Sequence, residues 1–324
     1  MVEHYIGVKM DKKILILGGS GYIGSFLNKY LIEKKYDVDS IDICWYGNLS
    51  NSKIKDINDL KKIDLKDYTD IILLAAHSSV GMSENNMISV LNNNVVNFCK
   101  ILDLINKDQK LIYASSSSVY GNTNQRIVDE EYVSFCPNNH YDLSKYEIDS
   151  YAKLSDKTYF ALRFGTVNGA SPNLRTDIMI NAMVNAAQKN NKVLCFNPDT
   201  NRPILGIKDL VRAVEKIIVL GDKSNHGIYN LASFNSNALE ISKGVSKKLN
   251  VPLEILEPKT ENITNTKLET KKYDFLINTS KFENAFDFSF KETIESIVDS
   301  LIDSKLIKNR EGRKNAKLYR NKAL

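Results

Sequence analysis

The chain has 324 residues, 43% hydrophobic and 26% charged, enough for one large α/β domain or two lobes. Its net charge of +5 does not mark a nucleic-acid groove, because eight Lys and Arg from Lys305 to Lys322 against Glu311 put +7 on the last twenty residues and leave −2 for the rest. No apolar run reaches the roughly 18–20 residues that span a bilayer, and the scattered Cys44, Cys99, Cys136, Cys195 and four histidines suit neither a disulfide framework nor a metal site, so a cytoplasmic, metal-free protein is expected.

Residues 1–12 lack the apolar core of a signal peptide and read as a short extension. Residues 13–17 are an apolar run before glycines and predict a buried strand. Helical spacing follows over 22–33, and the next strand is 37–43. Strands at 70–75 and 110–114 flank a long helix at 87–105. A second long helix at 141–154 precedes a strand at 158–163. This alternation predicts a Rossmann-type doubly wound parallel sheet in an α/β fold. Beyond Gly165 the pattern loosens: a loop at 171–175, helices at 177–188, 209–220, 240–249 and 290–302, and a strand at 228–231. The expected organisation is a dinucleotide-binding domain over 1–168, a smaller mixed α/β C-terminal substrate lobe over 169–307, and a basic tail over 308–324.

The run Gly18-Gly19-Ser20-Gly21-Tyr22-Ile23-Gly24 follows an apolar strand and opens a helix. Glycine at Gly18, Gly21 and Gly24 lets the backbone approach a pyrophosphate, and the helix N-terminus offers free N–H groups. Asp42 ends the second strand, where an acid bonds the adenosine ribose and repels a 2′-phosphate, so NAD is favoured over NADP. Asp64-Leu65 is expected at the end of a third strand, against the adenine. Tyr141 and Lys145, four residues apart on a helix, share a face. A Lys ammonium and a positive nicotinamide both favour phenolate, which makes Tyr141 a base for a sugar hydroxyl, with a Ser hydroxyl stabilising the developing carbonyl.

With these residues the chain resembles the extended short-chain dehydrogenase/reductase family, which includes nucleotide-sugar epimerases and dehydratases, over roughly residues 12–300. The resemblance implies Ser116, ahead of Val119-Tyr120-Gly121, as the catalytic serine, with Tyr141 as base and Lys145 as its partner. It implies that Tyr22 and Ile23 meet the cofactor, as do Ala75 and Ala76 within residues 73–81. Ser79, Ser117, Arg175 and Arg202 become substrate contacts, Arg202 as the fork for a nucleotide diphosphate. Leu162-Arg163-Phe164 resembles a segment near the nicotinamide. The acids that follow the catalytic hydroxyl residue in 4,6-dehydratases are Ser117 and Ser118 here, which argues against dehydration. The implied activity is an NAD-dependent nucleotide-sugar epimerase working through a 4-keto intermediate. A 4-dehydrogenase releasing the keto sugar ranks second, ahead of a 4,6-dehydratase or a non-enzymatic NAD-binding protein. A homodimer is expected, packed through the helices at 87–105 and 141–154, with no nucleic-acid or membrane partner.

Overall fold

The computed structural model describes residues 12–83, 86–133, 137–256 and 273–303. The expected N-terminal extension, Cys136 and the basic tail lie outside the described residues. Strands β1 (Lys13–Leu17), β2 (Asp37–Asp42), β3 (Lys53–Ile54), β4 (Asp70–Leu73) and β5 (Lys110–Ser116) come first. They are followed by the short β6 (Ile127–Val128), then β7 (Thr158–Phe164), β8 (Thr166–Asn168), β9 (Val193–Phe196) and β10 (Asn201–Gly206). The last are β11 (Gly227–Leu231), β12 (Phe234–Asn237), β13 (Leu253–Leu256) and β14 (Leu276–Ile277).

Seven strands form one sheet in the order β11-β7-β5-β4-β1-β2-β3, every pair parallel. The order reverses beside β1, and the crevice at such a reversal is where doubly wound folds bind ligands. β4 and β7 are buried throughout, as strands covered on both faces must be. On one face the helix Tyr22–Glu33 buries Leu27 and Leu31, each contributing about 2 kcal/mol, against β1 and the helix Ile207–Leu220. On the other, Phe98, Ile101 and Leu102 from the helix Asn97–Leu104 pack with Ile148 and Ala152 from the helix His140–Leu154. The buried Lys110 Nζ, 2.9 Å from Asp70 Oδ1, also donates to the carbonyls of Ile217, Ile218 and Gly221. A cation there satisfies the end of a helix whose dipole favours positive charge.

The long helix expected at 87–105 is not uniform. Met87–Val90 runs into a π-helical stretch at Leu91–Val96 before Asn97–Leu104. The bulge brings Asn94 to the loop after β4, where it accepts from the His77 N–H and donates to the His77 carbonyl.

The C-terminal part holds the three-stranded sheet β12-β10-β8 and the pair β13-β9, with the helices Met179–Asn190, Ala238–Leu249 and Ile294–Asp303 packed together. The boundary expected at residue 168 is not a clean one. β11 returns to the edge of the large sheet, and Leu210, Val214 and Ile217, with Phe282 and Phe286, pack into its core.

Candidate active site

A cleft of about 1270 Å³ opens at the strand-order reversal, above the carboxyl ends of β1, β4 and β5. Gly18, with φ +96°, lies so close to β4 that a Cβ there would sit 2.6 Å from the Ala75 nitrogen. A Cβ on Gly24 would sit 2.0 Å from the Gly18 oxygen. Gly21 caps the helix Tyr22–Glu33 without a side-chain acceptor, leaving its first-turn N–H groups for an anion. Tyr22, Ile23, Ala75 and Ala76 line the same wall. Tyr22 is fixed there by its hydroxyl, which donates to the Gly169 carbonyl at 2.7 Å and accepts from Asn181.

Asp42 also lines the cleft. Its carboxylate accepts from Ser20 N at 3.0 Å and Cys44 N at 2.6 Å, so it braces the glycine loop. A carboxylate has about four acceptor positions, which leaves room for ribose hydroxyls. Asp64 and Leu65 are placed elsewhere. Asp64 pairs with Lys55 at 2.9 Å and caps its own turn through Lys61 N, while Leu65 is fully buried in the core. The third strand ends at Ile54, so Lys55, Asp56, Ile57 and Asn58 reach the cleft instead.

The glycine cradle, the uncapped helix and Asp42 fit a dinucleotide. The Ser115 hydroxyl adds to that fit, since it is buried on the cleft wall with no hydrogen-bond partner among the described residues.

Ser116 ends β5, and Tyr141 and Lys145 project from the first turns of the helix His140–Leu154. That helix starts where it does because the Asn139 side chain accepts from Asp142 N. All three residues line the cleft. Ser116 and Tyr141 share this wall, and Lys145 Nζ donates to the Ala114 carbonyl at 2.7 Å and lies 5.7 Å from the Tyr141 ring centre. Burial pushes the Tyr141 phenol up to about 12, against the opposing pull of the Ser116 hydroxyl and the Arg175 charge. Burial pulls Lys145 down to about 8, against the attraction of Asp149. Burial outweighs Ser116 and Arg175 at the phenol, while a bound nicotinamide would add a positive charge that favours phenolate. Behind them Asp149 holds Arg163 Nε at 2.8 Å and the Tyr113 hydroxyl at 3.1 Å. Arg163 is thus a buried support and does not line the cleft.

Of the substrate candidates, Ser79, Arg175 and Arg202 line the cleft. Ser79 accepts from Met82 N at 3.3 Å, and Arg175 is held in a two-point pair with Asp177. Arg202 lies over the rings of Tyr273 and Phe275, 5.6 and 5.9 Å from their centres. Ser117 also borders the cleft, but its hydroxyl is spent on the Phe164 carbonyl at 2.7 Å. Sequence reasoning missed Tyr273 and Phe275, which meet the site from some 130 residues away, and Asp142, whose position beside Tyr141 on a helix was the available signal. Among the described residues no His, Cys, Asp and Glu cluster could hold a metal, and no helix is long and apolar enough to cross a membrane.

Fold and site together define a short-chain dehydrogenase/reductase-type enzyme, with a Ser-Tyr-Lys set beside a dinucleotide cleft. The chain belongs to the NAD dependent epimerase/dehydratase family, whose model matches residues 14–232. A Methanocaldococcus jannaschii protein provisionally named UDP-glucose 4-epimerase is 32% identical over 62% of this chain and 71% of its own length. UDP-glucose 4-epimerase of Corynebacterium glutamicum is 27% identical over 68% and 75%. The UDP-glucuronic acid 4-epimerase of Bacillus cereus, solved with UDP-glucuronic acid and NAD, superposes with a TM-score of 0.75 at 21% identity, over 91% of this chain and 99% of that one.

Proposed function

We propose that the protein is an NAD-dependent 4-epimerase of a nucleoside-diphosphate sugar. The observation that carries this reading is the convergence of Ser116, Tyr141 and Lys145 on one wall of the cleft that the glycine loop closes. NAD, held by the glycine cradle and Asp42, supplies the hydride acceptor. Tyr141 takes the proton of the C4 hydroxyl, Ser116 donates to the carbonyl oxygen that forms, and Lys145 holds the Tyr141 side of the pocket positive. Arg202 and Arg175 suit the diphosphate, and the Tyr273 and Phe275 rings keep the Arg202 guanidinium in place. The relatives' names support C4 as the reacting centre. The hydroxyl of Ser117, turned into β7, argues against a dehydratase acid at that position.

The test is incubation with UDP-glucose, UDP-glucuronic acid and the GDP- and dTDP-hexoses, with and without NAD, followed by product mass and C4 configuration. A product of unchanged mass and inverted C4 is expected. Loss of two hydrogens would replace epimerisation by 4-dehydrogenation, and loss of water would overturn the reading of Ser117 and Ser118.

The same reading includes a homodimer. Met87, Ile88, Leu91 and Val96 on one side, and Leu143, Tyr151 and Leu154 on the other, leave large apolar side chains exposed along the two helical segments. A shared apolar face of this kind suits self-association across a twofold axis. Sedimentation at micromolar concentration is expected to give a dimer, and a monomer would refute it.

A further inference from the structure

The cleft is bridged above the glycine loop. In the sheet order β4-β1-β2, β1 lies between the other two strands, so β2 and β4 are two strand spacings apart, about 10 Å. Trp45 stands just beyond β2 and His77 just beyond β4, yet their ring centres are 6.4 Å apart and the rings are inclined by 37°. That separation is within the range of aromatic pairs. Both residues line the cleft. They therefore reach toward each other across the carboxyl end of β1, where Gly18 and Gly21 form the phosphate cradle.

Both sides of the bridge are anchored. On the β2 side, Cys44 takes a φ of +55° and its N–H donates to Asp42 Oδ1, which turns the chain. Asn48 Oδ1 then accepts from Ser52 N at 2.8 Å, and Ser50 Oγ donates to the Gly19 carbonyl at 2.7 Å. These bonds tie the Trp45 loop to the glycine loop. On the β4 side, Asn94 holds both the N–H and the carbonyl of His77. The His77 Nε2 lies 2.8 Å from Ser89 Oγ and 3.2 Å from Asn93 Nδ2. The cavity continues past the rings in both directions: Asp42 and Lys55 line it on the β2 side, Ser116 and Tyr141 on the β5 side. The rings thus arch over the passage and do not plug it.

We propose that Trp45 and His77 form a clasp over the dinucleotide, and that this clasp sets how long NAD stays in the cleft. The inference rests on NAD as the cofactor, and its test needs no sugar. A dinucleotide joining Asp42 to the Ser116 wall crosses β1 under the two rings, so its departure requires the rings to part. Retention bears on the proposed reaction. A 4-epimerase returns to C4 the hydride that it removed, and loss of the reduced cofactor between the two transfers would strand the ketone. Trp45 and His77 belong to cofactor binding and take no part in proton or hydride transfer.

The test measures NAD exchange on the whole protein. Wild type, Trp45→Ala, Trp45→Phe and His77→Ala are mixed with radiolabelled NAD, and rapid filtration gives the rates of uptake and of release into excess unlabelled NAD. His77→Ala should release NAD about 3- to 10-fold faster, the worth of one aromatic pair, and Trp45→Ala faster still. Uptake should quicken in step, so that Kd moves less than either rate, because a clasp obstructs entry as well as exit. Trp45→Phe keeps a ring over the passage and should stay near the wild type. Faster release at unchanged uptake would make the two rings ordinary cofactor contacts, and unchanged release would remove them from the site. Either result overturns the proposal. If Trp45→Ala does not fold, His77→Ala decides alone, since it leaves the Trp45 loop intact. A second measurement uses the wild type. Trp45 is the one tryptophan of the chain, and loading with NAD should shield its emission from acrylamide. Equal quenching with and without NAD would place the cofactor away from the rings and refute the clasp. Failure of the epimerase reading looks different: a protein inert toward every nucleotide sugar, yet showing these exchange rates, loses the proposed reaction and keeps the clasp.

Discussion

Replacing Gly24 with alanine isolates the contact that shapes the phosphate loop. The new Cβ would lie 2.0 Å from the Gly18 oxygen and 2.9 Å from the Gly19 Cα, inside the 3.0 Å that real Cβ atoms keep. Gly18 cannot retreat, because a backbone shift there meets Leu74 and Ala75, and its φ of +96° belongs to glycine. The helix must therefore move outward by about 1 Å, carrying its N–H groups away from the pyrophosphate position. Overpacking of this kind costs about 1–3 kcal/mol. If the whole cost falls on the bound state, NAD affinity drops about 5- to 150-fold. Calorimetric titration with NAD, paired with urea unfolding, separates lost binding from lost stability. Wild-type NAD affinity together with a wild-type unfolding midpoint in Gly24→Ala would refute the reasoning.

Tyr141→Phe should lower kcat at least about 100-fold while NAD titrates as in the wild type, and an active phenylalanine variant would remove Tyr141 from the chemistry. Lys145 holds its proton more weakly in the fold, at about 8, than its ordinary 10.5 when unfolded. Below about pH 8 the buried charge is a full destabilising contribution, and between about 8 and 10.5 that contribution is relieved, by about 3 kcal/mol in total. Lys145→Met should therefore be inactive yet more stable at pH 7, and urea midpoints should lose their rise above pH 8. A variant less stable than wild type at pH 7 would contradict this. Arg202→Ala should raise KM about 10- to 150-fold with little change in kcat, as a lost charge-assisted contact to a diphosphate requires. An unchanged KM would place the diphosphate elsewhere.

What could be read in advance follows from how local each signal is. β1 with its glycines, and the pair Tyr141 and Lys145, are written within a dozen residues of sequence and have one periodicity each. β3 is two exposed residues, Lys53 and Ile54, with no apolar run to mark it, so spacing points ten residues beyond the cleft segment that follows it, to Asp64 and Leu65. The short strands β8, β9, β10, β12 and β13 are likewise invisible to pattern, because three to six residues of mixed polarity carry no clear period. The Asn-rich π-helical stretch looked like ordinary helix, since its cause is the hydrogen bonding of Asn94 to His77 in another loop. The contact of Asp142 with Tyr273 joins positions 131 residues apart, a distance at which spacing says nothing.

The return of β11 to the large sheet sets a timetable for synthesis. β7 seats beside β5, behind Ser116, but its outer edge stays open until residue 227 emerges, roughly 60 residues after β7 ends. At about 5–20 residues per second, that edge waits about 3–12 s on the ribosome. An unpaired, fully buried-type strand is a template for another chain during that interval. Expression yield should thus depend on elongation speed across residues 165–226 more than on any other stretch, and a product truncated there should be captured by chaperones or aggregate rather than persist as a smaller folded enzyme.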